Sequence, residues 1–199
     1  MSTIDVTVDA SKLEKWATEL SARGLRNAIR RAVDKSATAA RKIALKKIAA
    51  DIGVSESYIK DSVGKVKRTT QGSLSASFTT VKKRISILRV SGASIGPDGL
   101  KASTHRLGGG GSTSLNVRRA FIVKTAAGGS FVAYRTSRSR LPIKGVYAEH
   151  PATAMGQVGP VQEAWRQEAE KQVRERLGVE LQKQLLNEGL GYSAPPDND

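Results

Sequence analysis

Two long amphipathic stretches, one near each end of the chain, constrain its fold most. In the first, roughly Leu25 to Asp51, the residues Leu25, Ile29, Ala32, Val33, Ser36, Ala40, Ile43 and Ala44 recur every three or four positions. That period lines up one stripe along an α-helix. Most of the stripe is alanine or another small residue, so a second helix can approach closely. Arg26, Arg30, Arg31, Lys35, Arg41, Lys42 and Lys46 fall mostly on the other side. In the second stretch, Val161 to Asn187, one face carries Ala164, Trp165, Ala169, Val173, Leu177, Leu181 and Leu185. Glu168, Glu170, Glu175 and Glu180 alternate with Arg and Lys on the remaining faces, a pattern that supports an exposed helix through i,i+4 pairs. Gly189 follows as a helix stop.

Between these stretches the period changes to two, the signature of strands. Val66, Leu74, Ala76 and Phe78, then Ile85, Ile87 and Arg89, predict two or three half-exposed strands with turns at Gln71-Gly72 and Lys82-Lys83. Arg119–Lys124 and Ser130–Arg135 predict a hairpin around Ala126–Gly129. Residues 91–114 contain Gly96-Pro97-Asp98-Gly99 and the run Gly108–Gly111 before Ser112, and read as one long mobile loop. The glycine run lacks the Gly-Lys-Ser/Thr ending of a phosphate-binding loop. Leu141-Pro142-Ile143 reads as extended chain and Pro151–Pro160 as a connecting loop. Near the start, Thr3–Val8 reads as a short strand. Asp9 caps a helix bearing Leu13, Trp16, Ala17 and Leu20, and Gly24 closes it.

The expected architecture is therefore α+β. Long N-terminal and C-terminal helices pack on a small antiparallel sheet with extended loops and a hairpin. Residues 1–187 form one assembly domain and 188–199 a disordered tail.

Gly53-Val54-Ser55 breaks the first long helix, and Ser55 is placed to cap a short helix over Glu56–Val63. With Ala49, Tyr58 and Ile59 this resembles the core of a helix-turn-helix. Any tight helix junction also needs a glycine turn and a capping serine, and the preceding helix is longer than that motif uses.

Charge is distributed unevenly. Of 199 residues, 33 are Lys or Arg and 18 are Asp or Glu, for a net charge of +15. Residues 1–22 carry −2, residues 23–144 carry +21 and residues 145–199 carry −4. Such a block suits a polyanion or an acidic protein surface. The acidic ends suggest head-to-tail pairing of identical subunits, with helix 161–187 set against basic residues 118–140. Arg118, Arg119, Arg135, Arg138, Arg140, Lys82, Lys83 and Arg84 are the candidate contacts to DNA phosphates or an acidic neighbour. Phe121, Phe131, Leu141, Pro142, Ile143, Glu168 and Glu175 are the candidate subunit-interface residues.

The same composition argues against catalysis and cofactors. The chain has no cysteine and only two histidines, His105 and His150. The basic block holds five acids, Asp34, Asp51, Glu56, Asp61 and Asp98, in no metal-binding or paired-carboxylate spacing. Glu149 beside His150 offers a proton-transfer pair, although loop polar residues are the commoner explanation. No apolar run approaches the roughly 20 residues of a membrane span, and Met1–Asp5 carries no basic, apolar secretion signal. The expectation is a binding and assembly protein, with no enzyme activity, cofactor, metal or membrane contact.

The C-terminal half presents its elements in a recognisable order. The glycine-rich Gly108–Ser112 leads to Arg119-Ala120-Phe121-Ile122, and a glycine-turn hairpin leads to Val132 and Arg135. Arg140, Pro142-Ile143 and Val146 then precede a charged helix. An alanine-rich, arginine-bearing helix and a short helix come earlier. Over residues 24–187 this resembles the minor tail protein Z family of long-tailed bacteriophages and prophages, which are tail-completion proteins. The acidic C-terminal end with its Pro-rich tail departs from the family.

The resemblance implies a structural virion protein acting at the top of the tail, at the junction with the head connector. It implies a ring, commonly of six subunits, that caps the tail and surrounds the DNA channel. Its partners would be copies of itself, the head–tail connector, and tail tube or terminator proteins, with genome DNA as a non-specific contact. Its location would be the virion tail and neck, and the host cytoplasm during assembly. The alternative is a basic helix-turn-helix regulator using residues 44–63. A ribosome-type RNA-associated protein is a third reading, but it lacks the paired aromatic motif of an RNA-stacking sheet.

Overall fold

The computed structural model describes residues 22–105, 112–126, 128–156 and 159–190. The expected strand at Thr3–Val8, the helix after Asp9, the Gly108–Gly111 run and residues 191–199 lie outside them. Within these limits the fold is α+β. Its elements are helix α1 (Ala22–Ile52), helix α2 (Glu56–Ile59), strands β1 (Ile85–Ser86), β2 (Ser94–Gly96), β3 (Gly99–His105), β4 (Ser112–Val117), β5 (Phe121–Lys124), β6 (Ser130–Arg135) and β7 (Ile143–Ala148), and helices α3 (Pro151–Gly156) and α4 (Pro160–Asn187). Where one domain over 1–187 is expected, the chain groups into two compact units, each assembled from separated segments.

The first unit is helical and comprises residues 2–43, 65–78 and 165–199. In it Ala28 and Ala32 of α1 pack with Leu177, Leu181 and Leu185 of α4, the alanines giving the leucines room. Burying each such leucine contributes roughly 1.5–3 kcal/mol. A second stripe of α1, Val33 and Ala37, packs on Ala76, with Val66 at its margin. Ser36 sits in this apolar setting because its hydroxyl donates to the Ala32 carbonyl at 2.8 Å. Phe78 meets Trp165 edge-on, with ring centroids 6.3 Å apart.

Residues 65–78 fold back as expected at Gln71-Gly72, where Thr70 and Ser73 exchange backbone hydrogen bonds. The flanking chain is held by one bridge, Lys67 to Ser77, rather than by a continuous ladder. It is fastened to α1 instead. The Thr69 amide donates to Asp34 Oδ1 at 2.8 Å, and Arg30 donates to the Thr69 carbonyl at 3.3 Å.

The second unit comprises residues 44–64 and 79–164. Its four-stranded antiparallel sheet runs β1-β7-β6-β5, and a separate three-stranded sheet runs β2-β3-β4. On one face of the larger sheet Ile85, Val132, Val146 and Ala148 are buried in the core. Ile48, Ile52, Ile59 and Val63, from the end of α1 and the chain after it, are buried too.

Several sequence expectations need correction. Gly24 lies inside α1 rather than ending a helix before it. The supposed mobile loop 91–114 contains a sheet, with Gly96-Pro97-Asp98-Gly99 as the turn between β2 and β3. Its alternation (Ile95, Leu100, Ala102, Leu115, Val117) is diluted by serine and glycine, which conceals the period. Ile87 and Arg89 form a 3-10 turn after a two-residue strand. Pro151 starts a helix, as proline can at a first helical position, burying Ala154 and Met155.

Candidate interaction surface

In the larger sheet, cross-strand partners share a face. Register pairs Phe121 with Ala133, Ala133 with Gly145, Val123 with Phe131, and Arg135 with Ile143. Tyr147 pairs with Ser86 of β1 and has the same parity. This face collects three rings from residues far apart in sequence, with a fully buried Ala133 between them. Phe131 and Tyr147 lie nearly parallel, 15° apart with centroids 6.1 Å apart. The centre is floored by Ala133 and Gly145. A Cβ on Gly145 would come within 2.6 Å of the Tyr147 ring, so the ring occupies space that glycine leaves open over the strand. Tyr147 is 37% exposed, and Phe121, Phe131, Val123 and Ile143 are half-buried.

Arginines border the rings. The Arg135 guanidinium stands 4.8 Å from the centroid of Phe121, and that of Arg84 5.4 Å from Tyr147. Such cation–π contacts hold a flexible cation in one place. Arg119, in the left-handed region at φ 58°, joins Arg135, Thr136, Ser137 and Arg138 around an open cleft of about 470 Å³. Arg119 and Arg118 also line a neighbouring cleft with Pro97, Asp98, Lys101 and Asn116. Gly99 makes this junction possible: at φ +106° its missing Cβ would sit 2.2 Å from the Val117 carbonyl oxygen and about as close as packing allows to Arg118 and Arg119.

The predicted basic residues therefore sort into groups. Arg119, Arg135 and Arg138 come together, with Arg118 beside them. Arg140 is exposed in the bend that follows, and Lys82 is exposed as well. Lys83 is drawn to Tyr58, whose ring lies 5.3 Å from the Lys83 ammonium and 5.5 Å from the Arg89 guanidinium. His150 Nδ1 lies 3.0 Å from the Lys83 carbonyl oxygen. Of the interface candidates, Phe121, Phe131 and Ile143 share the ring-bearing face. Leu141 is 68% exposed, next to exposed Pro142. Glu168 and Glu175 belong to the helical unit, where Glu175 is paired with Lys171 at 3.9 Å. Sequence reasoning missed Tyr147, Tyr58 and Arg89, because no local pattern predicts which faces they share.

The acidic role given to helix 161–187 also needs correction. That stretch has five acids and five bases, so it is balanced. One of its acids, Glu180, is 3% exposed and is held by Arg31 at 2.8 Å and by Lys35. Burial acts to raise the Glu180 pKa, but hydrogen bonds from Lys35 and Arg31 outweigh it and hold the carboxyl below its ordinary value. Arg31 and Lys35, expected on a solvated basic face, are thus used inside the unit.

Glu149 behaves oppositely. Burial first, and then the Asp51 carboxylate, push its pKa up to about 7 against a small opposing effect of His150. Among the described residues no three His, Cys, Asp or Glu side chains group to hold a metal, and no helix is long and apolar enough to cross a membrane.

The short helix after Gly53 is a single α-turn followed by a 3-10 turn, Lys60–Ser62. Ser55 stands at its N-cap position without a side-chain capping bond. A four-residue helix is too short to read a major groove, so the helix-turn-helix resemblance reduces to a junction.

Comparison with curated proteins and with solved structures finds no match. A family model described as prophage minor tail protein Z (GPZ) matches residues 14–190, which include both long helices and every strand among the described residues. The chain belongs to the prophage minor tail protein Z family, and is a structural protein of the phage tail.

Proposed function

We propose that the protein is a tail-completion subunit that closes the head-proximal end of the tail, as a ring around the DNA channel. The observation that carries this reading is the family match joined to a sheet face crowded with arginines. Between Gly99 and Ala148 the sequence has nine Lys or Arg and no Asp or Glu. A ring subunit meets its neighbours through two different patches, and a strongly cationic face supplies one of them. The same position brings cations near genome DNA. Catalysis has no place in this reading, since assembly asks only for binding surfaces.

Electron microscopy tests the position. Deleting the gene from its phage or prophage should leave tails of normal length that do not join filled heads, and adding purified protein should restore joining. Antibody label at the tail tip distant from the head would overturn the reading. Purified protein should form closed rings on the grid, and particles that stay monomeric at high concentration would argue against a ring.

A further inference from the structure

We infer that the outward face of the β1-β7-β6-β5 sheet docks an acidic protein segment that also carries apolar or aromatic side chains. This inference rests on reading the surface as a contact face. It does not depend on where in the tail the protein sits, so label at another tail position would leave it standing.

The rings are the reason to choose protein over duplex DNA. Phe121, Phe131 and Tyr147, with Ile143, make a half-exposed apolar floor. Phosphates remain hydrated and reward cations, not apolar surface. Burial of that floor is favourable only against apolar groups.

Base stacking is disfavoured for a different reason. A stacking platform needs free ring faces. Here a guanidinium already stands over Phe121 and another over Tyr147. Those two arginines are instead pre-positioned for carboxylates. Each is steadied by its ring, and a guanidinium matches a carboxylate with two parallel hydrogen bonds. Aromatic residues with arginine at their margin are also the composition enriched at protein–protein contacts. The stretch from Gly99 to Ala148 has no acid of its own, and the neighbouring Asp98 meets only Lys101 of it, at 3.7 Å, so most of its positive charge is left for a partner.

The test uses the full-length protein and four labelled probes: poly(Glu), a random Glu/Tyr copolymer of matched length and charge, oligothymidylate and a short DNA duplex. The expected result is that the Glu/Tyr copolymer binds at least about tenfold more tightly than poly(Glu). Tyr147→Ser and Phe131→Ser should remove that advantage while leaving duplex binding unchanged. Arg84→Glu with Arg135→Glu, both at exposed positions, should weaken copolymer binding without changing the thermal midpoint. Equal affinity for the two acidic polymers overturns the proposal. So does oligothymidylate binding that falls in the ring variants, which would make the face a nucleic-acid platform. If a ring variant does not fold, the four-probe comparison on the unaltered protein and the arginine pair still decide the matter.

Discussion

Arg31 donates to Glu180 Oε2 across 2.8 Å, joining α1 to α4 between residues 149 apart in sequence. Lys35 binds the other carboxylate oxygen, and Arg31 also reaches Gln184 Oε1 at 2.8 Å. The Glu180 side chain is 4% exposed, but Arg31 and Lys35 are 40% and 47% exposed. The pair therefore stands between a buried ion pair, whose breakage costs about 3–5 kcal/mol, and a surface pair worth about 0–1 kcal/mol.

Glu180→Ala should lower unfolding free energy by about 1–3 kcal/mol near neutral pH, between those limits. The folded-state pKa of Glu180 lies below its ordinary value. Its contribution is thus present above that value and fades as pH falls through the folded-state pKa. Urea titrations should show the gap between variant and parent shrinking in acid. A gap that stays constant with pH would mean that lost packing, not charge, is responsible.

Ala32 has no exposed surface where it faces the Leu177, Leu181 and Leu185 cluster. Ala32→Leu should destabilise by about 1–3 kcal/mol through overpacking, and Leu181→Ala by about 2–5 kcal/mol through a cavity. Chemical denaturation measures both. An Ala32→Leu protein as stable as its parent would show that the two helices can separate freely.

Gly99 has a positive φ and no room for a Cβ against the Val117 carbonyl. Gly99→Ala should cost more than the roughly 1–3 kcal/mol of backbone strain alone, and should shift amide signals of Arg118 and Arg119 in NMR spectra. Gly92→Ala is the control: φ is +77° there, but nothing lies within 4 Å, so strain acts without the clash. Equal losses in the two variants would remove the claim that Gly99 seats the arginine turn.

Glu149 gives a pH dependence of the opposite sign to Glu180. Its pKa rises from 4.5 to about 7 on folding. Between those values the folded state keeps a proton that the unfolded state has lost, so stability falls as pH rises through this window. Glu149→Gln should raise the melting temperature above neutral pH and make little difference in acid below the window. Asp51→Asn should move the Glu149 midpoint downward, read by carboxyl NMR titration. A Glu149→Gln protein that gains nothing at high pH would refute the assignment.

The two long helices were legible because their apolar residues repeat at the helical period over many turns; Ala32, Val33, Ser36, Ala40 and Ala44, and Trp165, Ala169, Val173, Leu177, Leu181 and Leu185, are buried as that period implies, while Leu25, Ile29, Ile43 and Ala164 are half-buried. The β5–β6 hairpin was legible from alternating Phe121–Lys124 and Ser130–Arg135 around a glycine turn. The β2-β3-β4 sheet was hidden because serine, threonine and glycine fill many of its positions and look like loop. Ile87 ended up in a 3-10 turn because alternation over so few residues does not distinguish a strand from a buried turn. Glu180 looked like one more solvated acid, since periodicity records which face a residue occupies but not what comes to cover it.

Local sequence determined what depends on near neighbours: helix period, hairpin turns, the glycine at a tight junction, and the strong cationic excess of the middle segment. Tertiary structure alone decided the rest. Antiparallel pairing put Phe121, Phe131 and Tyr147 on one face and stood Arg84 and Arg135 beside them. Helix packing buried Glu180 within reach of the half-exposed Arg31 and Lys35. Register and burial are set by the lowest free energy of the whole chain, so such juxtapositions cannot be read from residue spacing.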